Sequence, residues 1–232
     1  MNRRHFAQLA LGAASLACMR PAAAADEPPT TWDGLVRVPS KKLKYVYLAP
    51  GADFRAYTKV MLDPTEVAFS KKWIKNYNSS QQDLEMDLQQ STLQDDVKQG
   101  VKASDAIFAK AFTDGGYPVV TTPGPDVLRV RTAIINIHVT APDVGAVASL
   151  SGARNAGQAT FVVEARDSQT GALLGRAVDA ELAGDTDFMS MRTSVSNMAD
   201  FRQLVETWAK SSVTGLNELK TLSPVKTPLA AG

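Results

Sequence analysis

Cysteine and histidine are almost missing from this chain: its 232 residues hold one cysteine, Cys18, and two histidines, His5 and His138. A single thiol closes no intramolecular disulfide, and two imidazoles leave little material for a metal site or a catalytic triad. A dominant charge is missing as well. Lys plus Arg number 25 against 24 for Asp plus Glu, a formal net charge of +1. No single-sign field of the kind that draws a protein to nucleic acid or anionic lipid follows from that balance. The chain also lacks a Gly-x-Ser-x-Gly elbow, a His-Glu-x-x-His helix, a Cys-x-x-Cys pair, a Walker loop and a Gly-x-Gly-x-x-Gly fingerprint. What is present, 44% hydrophobic and 21% charged residues, is the balance of an ordinary globular domain rather than of a disordered, collagenous or coiled-coil chain.

Residues 1–25 carry the three regions of a cleaved export signal: Arg3 and Arg4, an apolar stretch from Phe6 to Ala17, then the small residues Ala22 to Ala25. The stretch is shorter than the roughly 20 apolar residues that span a bilayer. Asn2-Arg3-Arg4-His5-Phe6 resembles a twin-arginine signal, which leaves that route and the general secretory route both open. Two processing routes also compete. Cleavage after Ala24 or Ala25 gives a cysteine-free periplasmic protein, whereas Ser15-Leu16-Ala17-Cys18 looks like a lipobox with Ser in its leading position, giving a lipidated Cys18 and an outer-membrane anchor. Removal at Ala25 takes away Arg3, Arg4 and Arg20, which leaves 22 basic against 24 acidic residues.

Beyond the signal, residues 26–34, with Pro28 and Pro29, read as an extended leader, residues 35–222 as one domain, and residues 223–232 as a disordered tail. Tyr45 to Leu48 alternates and is closed by Pro50-Gly51, as a half-buried strand ended by a turn should be. Arg55 to Leu62 and Thr65 to Phe69 are further strand candidates. Ser91-Thr92-Leu93-Gln94 matches a capping box, so a helix is expected to start there, to bury Val97, Val101, Phe108 and Phe112, and to stop at Gly115-Gly116. Asp126 to Val139 is long, β-branched and apolar, as a strand covered on both faces would be. Phe161 to Arg166, the turn Asp167 to Gly171 and Ala172 to Leu182 read as a hairpin. A closing helix capped by Asp200 would bury Phe201, Leu204, Val205, Trp208, Leu216 and Leu219. The order predicts an α+β fold: one mixed, largely antiparallel sheet with two main helices packed on one face.

Tyr45-Val46-Tyr47-Leu48-Ala49-Pro50-Gly51-Ala52-Asp53-Phe54, then Tyr57 and Val60 to Phe69, resembles the opening of uncharacterised bacterial envelope proteins grouped as domain-of-unknown-function family 3313, many of them described as lipoproteins. Val162 to Gly171 is similar to the strand and turn of the same family, and the resemblance covers Leu35 to Leu219. It implies export, frequent lipidation and no assigned activity, and it supplies no catalytic residue.

Four groups of residues are candidates for function. His138, in an apolar strand, would need a partner carboxylate and a cleft to serve as a base, but only one hydrogen bond to sit in a core. Asp185 with Asp187, and Asp83, Glu85 and Asp87, space carboxylates as a calcium loop could, or as a solvated turn does. Lys71-Lys72-Trp73-Ile74-Lys75 mixes cations with an indole; it reads as a patch that meets acidic surfaces or lipid headgroups, or as a solvated strand end with Trp73 in the core. Val144 to Gly157 is a small-residue connection presenting Val147 and Leu150, either a partner-docking loop or a plain connection. With no cofactor or metal expected, the chain reads as an exported, non-enzymatic binding or assembly module. Its expected partner is another envelope protein, with no nucleic acid and with membrane contact only through Cys18. A periplasmic hydrolase without a recognisable motif is one alternative. The other is a small-molecule or lipid carrier, which would require a deep apolar pocket between helices and sheet.

Overall fold

The computed structural model describes residues 28–81, 90–139, 151–153, 157–183, 190–192 and 194–226. Strand β1 (Thr31–Trp32) turns through Asp33-Gly34 into β2 (Leu35–Val38), with Trp32 opposite Leu35. Asp33 and Gly34 both have positive φ, 51° and 79°, the pairing that a two-residue hairpin loop demands and that Asp-Gly supplies most readily. Part of the expected leader is therefore a strand of the sheet. After it come β3 (Tyr45–Leu48), β4 (Lys59–Leu62) and β5 (Glu66–Phe69). The strand expected from Arg55 is shorter at its start, because residues 55 and 56 form a turn that Tyr57 closes with a hydrogen bond to the Phe54 carbonyl.

Helix α1 (Lys71–Gln81) stands where a strand end was expected. Ser70 at its start accepts the Trp73 N–H, the bond by which a serine satisfies an otherwise unpaired helix donor. Helix α2 (Gln90–Asp114) is described from one residue before the expected Ser91 cap, and the Ser91 side chain lies outside the described part. Its end is as the glycines predict: Gly116 N–H bonds to the Thr113 carbonyl and Tyr117 N–H to Phe112, which together satisfy two of the last free carbonyls.

The three long strands are β6 (Val127–Val139), β8 (Gly157–Asp167) and β9 (Leu173–Ala183), with β8 and β9 joined by the expected turn. Between β6 and β8, Ser151–Ala153 forms β7 and pairs with β10 (Ser190–Arg192), so the small-residue connection is not wholly loop. Gly157 opens β8 with φ of 146°, and a side chain there would run into the His138 carbonyl oxygen. Opposite it, β6 carries a bulge around Asn136, whose φ of 55° is one that asparagine tolerates. Helix α3 (Ser194–Leu222) starts six residues before the expected Asp200 cap, which leaves Asp200 inside the helix.

The main sheet has eight strands in the order β1-β2-β3-β9-β8-β6-β4, with β5 also on β6. It is mixed: β4 and β5 run parallel to β6 and every other neighbour is antiparallel. The two long helices lie on one face, joined through a stack of rings in which Phe161 of β8 lies 5.6 Å from Phe108 of α2 and 5.1 Å from Trp208 of α3. The α+β architecture expected from the sequence is the one observed. One expectation for β6 fails. Leu128, Val130, Thr132 and Ile134 are buried on the helix face, but Arg129 and Arg131 stand half-buried and exposed on the other, so the strand is covered fully on one face only. The start of the expected tail is also ordered: Val225 is buried and exchanges backbone hydrogen bonds with Ala52 and Gly51. Residues beyond Lys226 lie outside the described part.

Candidate ligand-binding cleft

At its N-terminal half α3 is clamped to the sheet. The Trp208 indole N–H donates to Asp179 Oδ2 of β9 at 3.0 Å, and Asp179 Oδ1 accepts the Lys44 backbone N–H at 3.3 Å. One turn further on, α3 borders a cleft with the small residues Ser211, Ser212 and Gly215 beside Leu216 and Leu219. Beneath them the sheet is small too, with Ala165 of β8 and Gly175 and Ala177 of β9. Small residues opposite small residues leave space, because a helix and a sheet held apart by Trp208 cannot close over them.

The result is a cleft of about 970 Å³ between α3 and the helix face of the sheet. Its walls are apolar: Val46 and Leu48 of β3, Val163 of β8, Leu128 and Val130 of β6, Leu216 and Leu219 of α3, with Phe54, Phe112 and Val225 also in the lining. That volume lies at the upper end of the range for small-molecule sites, and the apolar walls with a few polar groups are what such sites have in common. A Cβ placed on Gly215 would meet no atom within 4 Å, so the helix backbone itself borders the open volume. Lys41, Lys42 and Lys226 line the same cleft, with Glu218 its one carboxylate among the described residues.

The opposite face of the sheet carries charge. Register places Arg37, Tyr47, Arg176, Glu164 and Arg131 side by side, one on each of five consecutive strands. Arg176 donates to Glu164 Oε1 at 2.6 Å and to Asp33 at 2.8 Å, and its guanidinium lies 4.2 Å from the Trp32 ring centroid. Arg166 holds the other oxygen of Glu164 at 2.9 Å, while Asp63 pairs with Arg129 and Arg131. The β1 hairpin lies over this row: Trp32 meets Tyr47 edge-on at 5.7 Å, and the Tyr47 hydroxyl donates to the Pro29 carbonyl at 3.0 Å.

Burial, the largest single influence on Glu164, pushes its carboxyl up, but the hydrogen bonds and charges of Arg176 and Arg166 together hold it below the ordinary 4.5. A carboxylate lowered in the folded state contributes stability above its unfolded value and loses it as pH falls through the folded one. Denaturant titrations at neutral pH and again below 4.5 should therefore show an acid loss of stability. The loss should shrink in Glu164→Gln, although Asp167 and Asp126, also held low, retain part of it. An identical acid loss in that variant would count against the arginine row as its source.

The residues singled out from the sequence fall elsewhere. Lys71 and Lys72 are exposed on the first turn of α1, but Trp73 is buried, stacked on Phe69 at 5.4 Å and donating its indole N–H to the Val139 carbonyl at 2.8 Å. It is a packing residue and not part of a surface. His138 is half-buried on β6, edge-on to Trp73 at 6.4 Å, and does not line the cleft. Cys18, Ala24, Ala25, Val147, Leu150 and the carboxylates at Asp83, Glu85, Asp87, Asp185 and Asp187 lie outside the described residues. Of the residues that build the cleft, Phe112, Leu216 and Leu219 read in the sequence as core, and the rest carry no functional pattern. The trace of it in the sequence is a break in the apolar stripe of the closing helix, where Ser211, Ser212 and Gly215 interrupt the large residues.

Residues 30–212 match the model of a family described as protein of unknown function (DUF3313). No curated protein matches the chain. Among solved structures it is similar to the PelC dodecamer from Paraburkholderia phytofirmans, at 12% identity over 72% of this chain and 94% of that one, with a TM-score of 0.35. It is also similar to a protein from Xanthomonas campestris assigned to DUF330, at 10% identity over 75% and 91%, with a TM-score of 0.35.

Proposed function

Because the chain belongs to the DUF3313 family, a family of unknown function, we propose a function from its own geometry: an exported envelope module that binds an apolar small molecule between α3 and the sheet. The carrying observation is the apolar cleft of about 970 Å³, which of the three readings of the sequence only the small-molecule or lipid carrier requires. Export is supported by the signal-like residues 1–25, with Cys18 or the Ala24 and Ala25 positions as the processing sites. A hydrolase is less well supported. Among the described residues the cleft holds no histidine, its one carboxylate is Glu218, and Asp63 and Glu164 on the opposite face are committed to arginines.

The test is a fluorescence titration of the full chain with phenylnaphthylamine, an uncharged apolar probe, against wild type and Gly215→Phe. Phenylalanine at 215 would fill the open volume while being a better helix former than glycine. Saturable binding to wild type, weakened about tenfold or more in the variant at an unchanged or raised melting temperature, is expected. Equal binding by both proteins would place the probe elsewhere and remove the basis of the proposal.

A further inference from the structure

The rim of the cleft says what kind of molecule it takes. Lys41 and Lys42 lie in the connection between β2 and β3, where the Ser40 hydroxyl accepts the backbone N–H groups of Lys42 and Leu43 at 3.2 and 3.3 Å and so fixes the turn. Lys226 follows Val225, whose N–H is bonded to Ala52 at 2.8 Å. All three lysines are exposed, and among the described residues none has an ion-pair partner, whereas Lys59, Lys98 and Lys110 are each paired with an aspartate. Arg176 also borders the cleft but is paired with Glu164 and Asp33, which leaves three unpaired lysines against Glu218 on a chain whose overall charge is +1.

An apolar trough with unpaired ammonium groups along it matches a molecule that is apolar over its length and anionic at one end. Lysine suits such a site, since its methylene stem lies along apolar surface while the charged head stays in water. We propose that the ligand is a long-chain acyl amphiphile with an anionic head group, its chain between α3 and the sheet and its head at the exposed lysines that line the cleft. The proposal rests on the reading of the cleft as a small-molecule site. Carboxylate and phosphate heads share the chemistry that the lysines would recognise.

Displacement of phenylnaphthylamine from the full chain tests it, using a fatty carboxylate, an alkyl phosphate, the matching alcohol and the matching trimethylammonium salt. At low ionic strength the better of the two anions should bind about tenfold or more tightly than the alcohol, and the cation most weakly, and the tighter anion identifies the head group. The ordering should collapse in the combined variant Lys41→Gln, Lys42→Gln, Lys226→Gln, and a variant that keeps the wild-type ordering would overturn the lysines as the head-group site. Equal affinity for all four head groups would overturn the inference while leaving the cleft as an apolar site. Absence of probe binding to the wild type would overturn both. Probe binding that falls as protein concentration rises would mean that a second copy fills the cleft, which overturns the amphiphile as its occupant.

Discussion

Replacing Trp208 by alanine is expected to destabilise the domain by about 3–5 kcal/mol, the range for removing a large buried aromatic side chain. Trp208 is 1% exposed and is the last ring in a stack that begins on α2, crosses Phe161 of the sheet and ends on α3. Its removal opens a cavity at the one place where both long helices and the sheet meet, and it strips a donor from Asp179, itself 6% exposed. An unsatisfied buried acceptor adds about 1–3 kcal/mol to the loss of packing. Trp208→Phe keeps one aromatic ring but loses the N–H together with part of the indole's buried volume, so its loss should be the smaller of the two. Denaturant unfolding should rank the proteins wild type, Trp208→Phe, Trp208→Ala. A phenylalanine variant as stable as wild type would show that the bond to Asp179 contributes nothing.

Arg176→Met is the second large effect, at about 3 kcal/mol, the lower part of the range for removing one partner of a buried pair. The Arg176 side chain is 10% exposed and Glu164 14%, so water replaces little of what is lost. Arg166 still holds one oxygen of Glu164, which is why the lower part of the range applies. The variant also releases Asp33 and takes the cation from beneath the Trp32 ring, so the β1 hairpin loses two of its ties to the sheet. Limited proteolysis should then cut near residues 28–34 in the variant at a protease concentration that leaves wild type intact. Arg176→Lys keeps the charge without the planar fork, and an intermediate stability is expected of it. If Arg176→Met unfolds at the wild-type midpoint, the arginine row is ornamental to the fold.

Both effects depend on features that only partly reach the sequence. The long strands, their hairpin turn and the two long helices follow from local patterns: alternation in Tyr45 to Leu48, the apolar run of β6, the Asp167 to Gly171 turn, and helical spacing from Val97 to Phe112. Those patterns are local because each reports which face of one element meets the core. The errors also have local causes. Asp33-Gly34 is a strong hairpin signal, yet the prolines before it and the short run after it read as a leader. Lys71 to Trp73 reads as a strand end until Ser70 is seen to start a helix, since one buried indole fits either periodicity. Asp200 is as good a cap by residue type as any, but the helix begins at Ser194 and passes through it.

The cleft and the arginine row were illegible for a different reason. Ala165, Ala177 and Gly215 are unremarkable singly, and become a cavity only when β8, β9 and α3 bring them face to face. In the same way Arg37, Tyr47, Arg176, Glu164 and Arg131 are spread over nearly the whole domain, and only the strand register aligns them. A shift of one residue in any strand would turn its member of the row to the helix face.

A small molecule held in the cleft between α3 and the sheet should be visible by native mass spectrometry of the full chain, purified without detergent from its own host and compared before and after solvent extraction. A one-to-one adduct is expected that extraction removes and that Gly215→Phe, prepared in the same way, does not carry. A wild-type chain at its bare mass that also takes up no phenylnaphthylamine, or an adduct retained in full by Gly215→Phe, would contradict it.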